Sequence, residues 1–209
     1  MKFKRGDETD QKQCVALKHE FLRCDDAFHE FASAATILIE RGHTRYNAYR
    51  AYNSYSRFIQ HLYEFLMGAA IREFEDTDYG RVPEIADKYV MFNAQRLVTN
   101  KREAILSGRS TDMENHISYY PERIPDDFAR QFRIHRNTVS THVKYQRSEL
   151  SLTDFYRRNH KFLYMLYVDI KGWWGREKDG FPDLKEITAF SVLLVDDPPP
   201  LPDDVDDNA

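Results

Sequence analysis

Hydrophobic and polar residues alternate along most of this chain with a helical period. Between Gln11 and Glu40, the positions Leu17, Phe21, Cys24, Phe28, Phe31, Ala35 and Leu38 follow one another at alternating steps of four and three residues. Such steps hold one stripe on a 3.6-residue helix, so a long amphipathic helix with a bundle-like seam is predicted, ending near Gly42. From Thr44 to Phe74 the seam returns at Tyr49, Tyr52, Ser56, Ile59, Tyr63, Leu66 and Ala70, and Ala48, Tyr55, Leu62 and Ala69 widen it. A face that broad predicts burial on two sides, and the short link between the two helices predicts an antiparallel pair.

Beyond a polar break at residues 75–82, Pro83 suits the first turn of a third helix that runs to about Leu106. Residues 107–125, with Gly108, Pro121 and Pro125, read as a loop, so 75–125 is expected to be an inserted helix and loop. Ser151 with Asp154 three residues later resembles a capping box, and Tyr156, His160, Leu163, Tyr167 and Ile170 carry the seam of a last long helix over 151–171. The apolar segment 184–195 is expected to pack on the bundle. The pattern therefore predicts an all-α fold, an up-down helical bundle of about five helices in one domain, residues 1–195, followed by an acidic tail at 196–209.

Composition sharpens this picture at the tail. The formal charge is -4, and six Asp residues fall among the last fourteen, so the body is close to neutral. A Pro- and Asp-rich end of that kind is expected to be a solvated, disordered tail, or else an acidic strand that competes with RNA for a basic groove. A near-neutral body argues against a dedicated nucleic-acid coat. Cys14 and Cys24, ten residues apart on one helix, would be separated by about 15 Å, too far for a disulfide. No signal segment and no long apolar run is present, which predicts a soluble cytoplasmic protein with no membrane association. Paired CxxC and HExxH spacings are absent, so neither a metal nor a cofactor is implied.

The stretch FARQFRIHRNTVSTHVKYQR, Phe128 to Arg147, supports two different functions. As a helix-turn-helix covering 126–145, it would use Ala129, Ile134 and Val139 as its core and HRNTVSTHVK as a recognition helix. Arg133 then occupies the turn position that favours glycine, at a cost of about 1 kcal/mol for a residue with a Cβ. Long helices on both sides also fit a small DNA-binding domain poorly, and no sequence-specific binding of duplex DNA is expected.

The second reading starts from Arg136, Asn137 and His142. Arginine, a polar residue, then histidine after five intervening positions, set between a long helical hairpin and an aromatic helix, resembles the HEPN superfamily. The segment YNAYRAYNSYSRFIQHLYEFLMGA is similar to the early core helix of its prokaryotic members. Arg followed by His after four to six intervening residues recurs at Arg23/His29, Arg109/His116 and Arg130/His135, but of all these pairs only Arg136 is followed by Asn and stands between the hairpin and the last core helix. The resemblance implies a metal-independent ribonuclease acting as a toxin or in phage defence, with RNA as substrate and an antitoxin protein as a further partner. A non-catalytic nucleotide- or protein-binding member of the same fold is the alternative.

The chemistry of these residue types agrees with that implication. His142 can exchange a proton near neutral pH, as base toward a ribose 2′-OH or acid toward the departing 5′-oxygen. Arg136 offers a planar fork of donors to phosphoryl oxygens. Asn137 would orient the histidine or hold a phosphate, and Arg133, Lys144 and Arg147 are the candidate RNA contacts. On a continuous helix, Arg136 and His142 would lie roughly 120° apart, so Asn137 is expected to be an N-cap with Arg136 just before it. Otherwise a two-fold homodimer brings a partner arginine to each histidine. Structural roles compete with these: His61 as a core-lining histidine, Arg157, Arg158 and His160 as a solvated face, and Trp173 and Trp174 as caps on the core.

Overall fold

The structure, a computed structural model, describes residues 1–111, 113–140, 150–175 and 185–196. Six α-helices account for the fold among the described residues: α1 (Glu8–Arg41), α2 (Arg45–Glu73), α3 (Pro83–Leu106), α4 (Phe128–His135), α5 (Leu152–Trp174) and α6 (Lys185–Asp196). The architecture is an all-α bundle, and no described residue belongs to a sheet strand. No helix among the described residues is long and apolar enough to cross a membrane.

Local signals start the helices where the chain provides them. Asp7 caps α1 by accepting from the Asp10 N–H, Thr44 caps α2 through Asn47 N–H, and Ser151 caps α5 through Asp154 N–H. Each side-chain oxygen satisfies one of the amides that a helix start leaves without a partner, a contribution of about 1 kcal/mol. Pro83, which lacks an N–H to leave orphaned, opens α3.

The α1–α2 hairpin is the frame. Its inner seam buries Leu17, Phe21 and Cys24 against Phe58, Ile59, Leu62, Phe65 and Leu66. At one point the helices come so close that a Cβ on Gly68 would meet Leu17 Cδ2 at 2.9 Å, and the leucine side chain would have to shift to admit it. Gln13 Nε2 donates to the carbonyl of Gly68 at 3.0 Å. Along the edge, His61 pairs with Glu20 at 2.7 Å and Arg72 with Asp10 at 2.7 Å, so the antiparallel register is fixed by packing and charge together.

Helix α5 closes the other side of α2, burying Phe155, Phe162, Leu163, Leu166 and Tyr167. The expectation that α2 is buried on two sides therefore holds. Phe128 and Phe132 of α4 complete the core, edge-on to Phe162 and Tyr63 respectively. Helix α3 is followed by a short 3-10 turn, Ile117–Tyr119, and Tyr120 and Ile124 return to the core.

Four expectations are corrected. Residues 185–196 are helical, but Phe190, Val192, Leu193, Leu194 and Val195 are all exposed, because a short helix with consecutive apolar residues has no single stripe to bury. The seam of α2 starts later than its periodicity suggests, since Tyr46 and Tyr49 are mostly exposed. His160 is not on a solvated face: Tyr156 stacks on it at 4.4 Å and Tyr55 Oη lies 3.1 Å from its Nδ1. Trp174 packs edge-on to Phe65, while Trp173 is exposed. Helix α6 ends at Asp196, and the rest of the proposed acidic tail lies outside the described residues.

Candidate functional site

The Arg136-Asn137 motif lies where helix geometry changes. Helix α4 ends at His135, and Arg136–Ser140 continue as a π-helical turn packed against α2. The β-branched Thr138 and Val139 disfavour a continuing α-helix, and Thr138 is buried. Asn137 is therefore not an N-cap, contrary to expectation. Arg136 itself has helical dihedrals, φ -54° and ψ -48°, and Asn137 Oδ1 accepts from the Arg136 guanidinium at 2.7 Å instead. The helix-turn-helix arrangement is also absent at its turn: Arg133 is inside α4, without the positive φ that motif needs.

Arg136 is firmly placed. Its guanidinium donates to the Glu64 carboxylate of α2 and stands 5.8 Å from the Tyr63 ring centre. Arg133, one turn earlier, is gripped by Asp87 of α3 through two hydrogen bonds of 2.9 Å each. That bidentate contact raises the Arg133 pKa further and holds the fork flat.

These side chains form the wall of an open cleft of about 400 Å³. Tyr63, Glu64, Met67 and Ile71 of α2 make its floor, Arg133, Arg136 and Asn137 one side, and Thr77, Tyr79, Gly80 and Arg81 of the α2–α3 loop the other. Gly80 adopts φ +80°, which a side chain would resist, and it lies close to Met67 Sδ. This turn brings Arg81 to the rim, where it pairs with Asp78 at 2.9 Å. Asp78 also binds the amino group of Met1 at 2.7 Å, tying the loop to the chain start.

Three arginines thus surround one concave surface, with two tyrosines and an amide beside them. Burial pushes the Tyr63 phenol up to about 12, so it is a neutral hydrogen-bond donor at physiological pH rather than a base. An arginine fork, a phenol and an amide can hold phosphoryl oxygens, and the tyrosine rings offer faces to a base. Among the described residues of the cleft there is no histidine and no cysteine.

Sequence reasoning brought together Arg133, Arg136 and Asn137, and the structure does the same. His142, Lys144 and Arg147 lie outside the described residues. Tyr63, Glu64, Arg81 and Asp87 were missed. Glu64 is 72 residues from its partner, and no local pattern announces such a pair, whereas Gly80-Arg81 between two helices was a readable loop signal. His135, a competing Arg/His match, is a core residue: it stacks on Phe155 at 4.0 Å and its Nδ1–H donates to Gln131 O at 2.9 Å. Burial lowers its pKa, so it stays neutral. His61 also has a structural role, paired to Glu20 between α1 and α2. The chain matches no known family model, no curated protein and no solved structure.

Proposed function

We propose that this protein is a metal-independent endoribonuclease of the HEPN type, with Arg136, Asn137 and His142 as its catalytic residues. The observation that carries the reading is the position of Arg136 and Asn137: an α-to-π transition at the wall of an open cleft that also presents Arg133 and Arg81. π-helical turns recur at functional sites because they aim side chains that a regular helix would place elsewhere.

The reaction begins with the ribose 2′-OH of a single-stranded RNA. His142 accepts the hydroxyl proton, the 2′-oxygen attacks phosphorus, and the P–O5′ bond breaks as a proton is delivered to the leaving oxygen. The products are a 2′,3′-cyclic phosphate and a free 5′-OH. Arg136 binds the non-bridging oxygens as charge accumulates on them, and Asn137 keeps the guanidinium oriented. Arg133 and Arg81 hold flanking phosphates, joined by Lys144 and Arg147. Cleavage at this site supports the role of a toxin or a phage-defence effector that an antitoxin restrains.

Purified protein incubated with total RNA in EDTA tests the reading. The wild type is expected to shorten the RNA while Arg136→Ala and His142→Ala leave it intact. A second reading rests on the Glu64 and Asp87 carboxylates, which already compensate Arg136 and Arg133. A binding module that holds a nucleotide without cutting it would show RNA retention with no product in any variant.

A further inference from the structure

A second concavity lies between the C-terminal half of α3, the middle of α5 and the 114–120 loop. Its volume is about 470 Å³, within the range of small-molecule sites, about 300–1,000 Å³. Leu97 and Ala104 of α3 and Met165 and Val168 of α5 form an apolar floor, and Tyr119 and Tyr164 form aromatic walls. It starts fourteen residues beyond Pro83, the α3 residue that borders the arginine cleft, so along that helix the two are about 21 Å apart.

The loop wall is tied down. Glu114 accepts from Lys101 Nζ and from Tyr120 Oη, and Arg102 donates to Tyr120 O at 2.6 Å. Asp169, at the other end of the cavity, pairs with Arg96 at 3.3 Å. Every charged group of the lining is thereby matched except Lys161. Its Nζ donates to Tyr119 O at 3.0 Å and stands 5.2 Å from the Tyr119 ring centre, with no carboxylate partner among the described residues. A cation backed by aromatic faces, in a cavity whose other charges are already paired and whose remaining polar side chains are the amides of Asn100 and Asn115 and the tyrosine hydroxyls, lacks only an anion.

We propose that this cavity is a binding site for a small, flat aromatic monoanion, whose ring lies between Tyr119 and Tyr164 and whose acidic group pairs with Lys161. The apolar side chains of Leu97, Ala104, Met165 and Val168, facing Tyr119 and Tyr164, fit a ring better than a sugar, whose hydroxyls would go unpaired against them. Charge complementarity at Lys161 sets the orientation, acid outward and ring inward. The site is independent of the arginine cleft and stands whether or not the protein cuts RNA.

The test uses 1-naphthoate as probe and its neutral counterpart 1-naphthamide, titrated into the full chain by calorimetry. The wild type is expected to bind naphthoate with one-to-one stoichiometry and to bind the amide much more weakly. Lys161→Met, which keeps the aliphatic stem against Tyr119 and removes the charge, is expected to weaken naphthoate roughly ten- to hundredfold, the loss of one charge-assisted hydrogen bond. Ala104→Phe, which fills the cavity from its floor, is expected to abolish binding, and Arg136→Ala to leave it unchanged. Circular dichroism melts confirm that each variant is folded, including Lys161→Met, which also gives up the hydrogen bond to Tyr119 O. No binding to the wild type, equal affinity for the acid and the amide, or full retention in folded Lys161→Met overturns the proposal.

Discussion

At the scale of single residues, Glu64 decides how Arg136 is presented. Its carboxylate holds the guanidinium in place, yet stands close enough to repel an incoming phosphate. Two charges about 6 Å apart at a protein surface interact by roughly 3 kcal/mol at most, so the repulsion is felt in affinity. Glu64→Gln keeps an acceptor oxygen for Arg136 and removes the charge. We expect it to tighten RNA binding several-fold, whereas Glu64→Ala frees Arg136 to wander and lowers turnover. Filter binding on a non-cleaving His142→Ala background, beside turnover measured with His142 intact, separates the two effects.

His160 gives a residue-scale prediction in pH. Burial among Phe31, Tyr55 and Tyr156 pushes its pKa down to about 4. In the unfolded chain it would titrate near 6.5. Between those values the unfolded chain binds a proton that the folded one refuses, so stability rises with pH across the window and falls on acidification from 6.5 toward 4. The loss is at most roughly 3 kcal/mol at the lower end. His135, also held neutral by burial, adds to it with the same sign. Asp10, whose pKa is lowered mainly by its hydrogen bond from Arg72, gives up its contribution only below the ordinary carboxylate range. Urea midpoints from pH 7 to 4 should show a slope that His160→Phe reduces by about one proton, and an unchanged slope would mean that His160 is charged in the fold.

At the scale of elements, the α1–α2 hairpin is sensitive at Gly68. Gly68→Val places a branched side chain against Leu17, and overpacking of that kind costs about 1–3 kcal/mol. Thermal melts should show the loss, and Gly172→Val, whose Cβ meets nothing within 4 Å, should show much less. The helices themselves were legible in the chain because their signals are local. The four-three steps around Leu17 to Leu38 and Ile59 to Ala70, the cap at Ser151 and the proline at 83 all act within a turn or two. What escaped was non-local. Nothing near Arg133 or Arg136 announces Asp87 or Glu64, and the depth of His160 depends on Phe31 and Tyr55 from two other helices. The exposure of α6 escaped for the opposite reason: an apolar run looks the same whether or not a partner surface exists.

At the scale of the whole molecule, a two-fold homodimer would double the acid-base groups available to one cleavage event, because each chain brings only one His142. Light scattering at micromolar concentration should give about twice the chain mass, and a strictly monomeric protein would leave a single histidine to serve as both base and acid. The central claim is the cleavage itself, and the most direct measurement follows a 5′-labelled single-stranded RNA oligonucleotide on a denaturing gel in EDTA, with mass spectrometry of the product ends. The account predicts fragments ending in 2′,3′-cyclic phosphate with the wild type, a loss of about 10²–10⁴-fold in rate for His142→Ala and about 10²–10³-fold for Arg136→Ala, and near wild-type rates for His29→Ala, an exposed control. Equal cleavage by the wild type, His142→Ala and Arg136→Ala, or none by any of them, would contradict it.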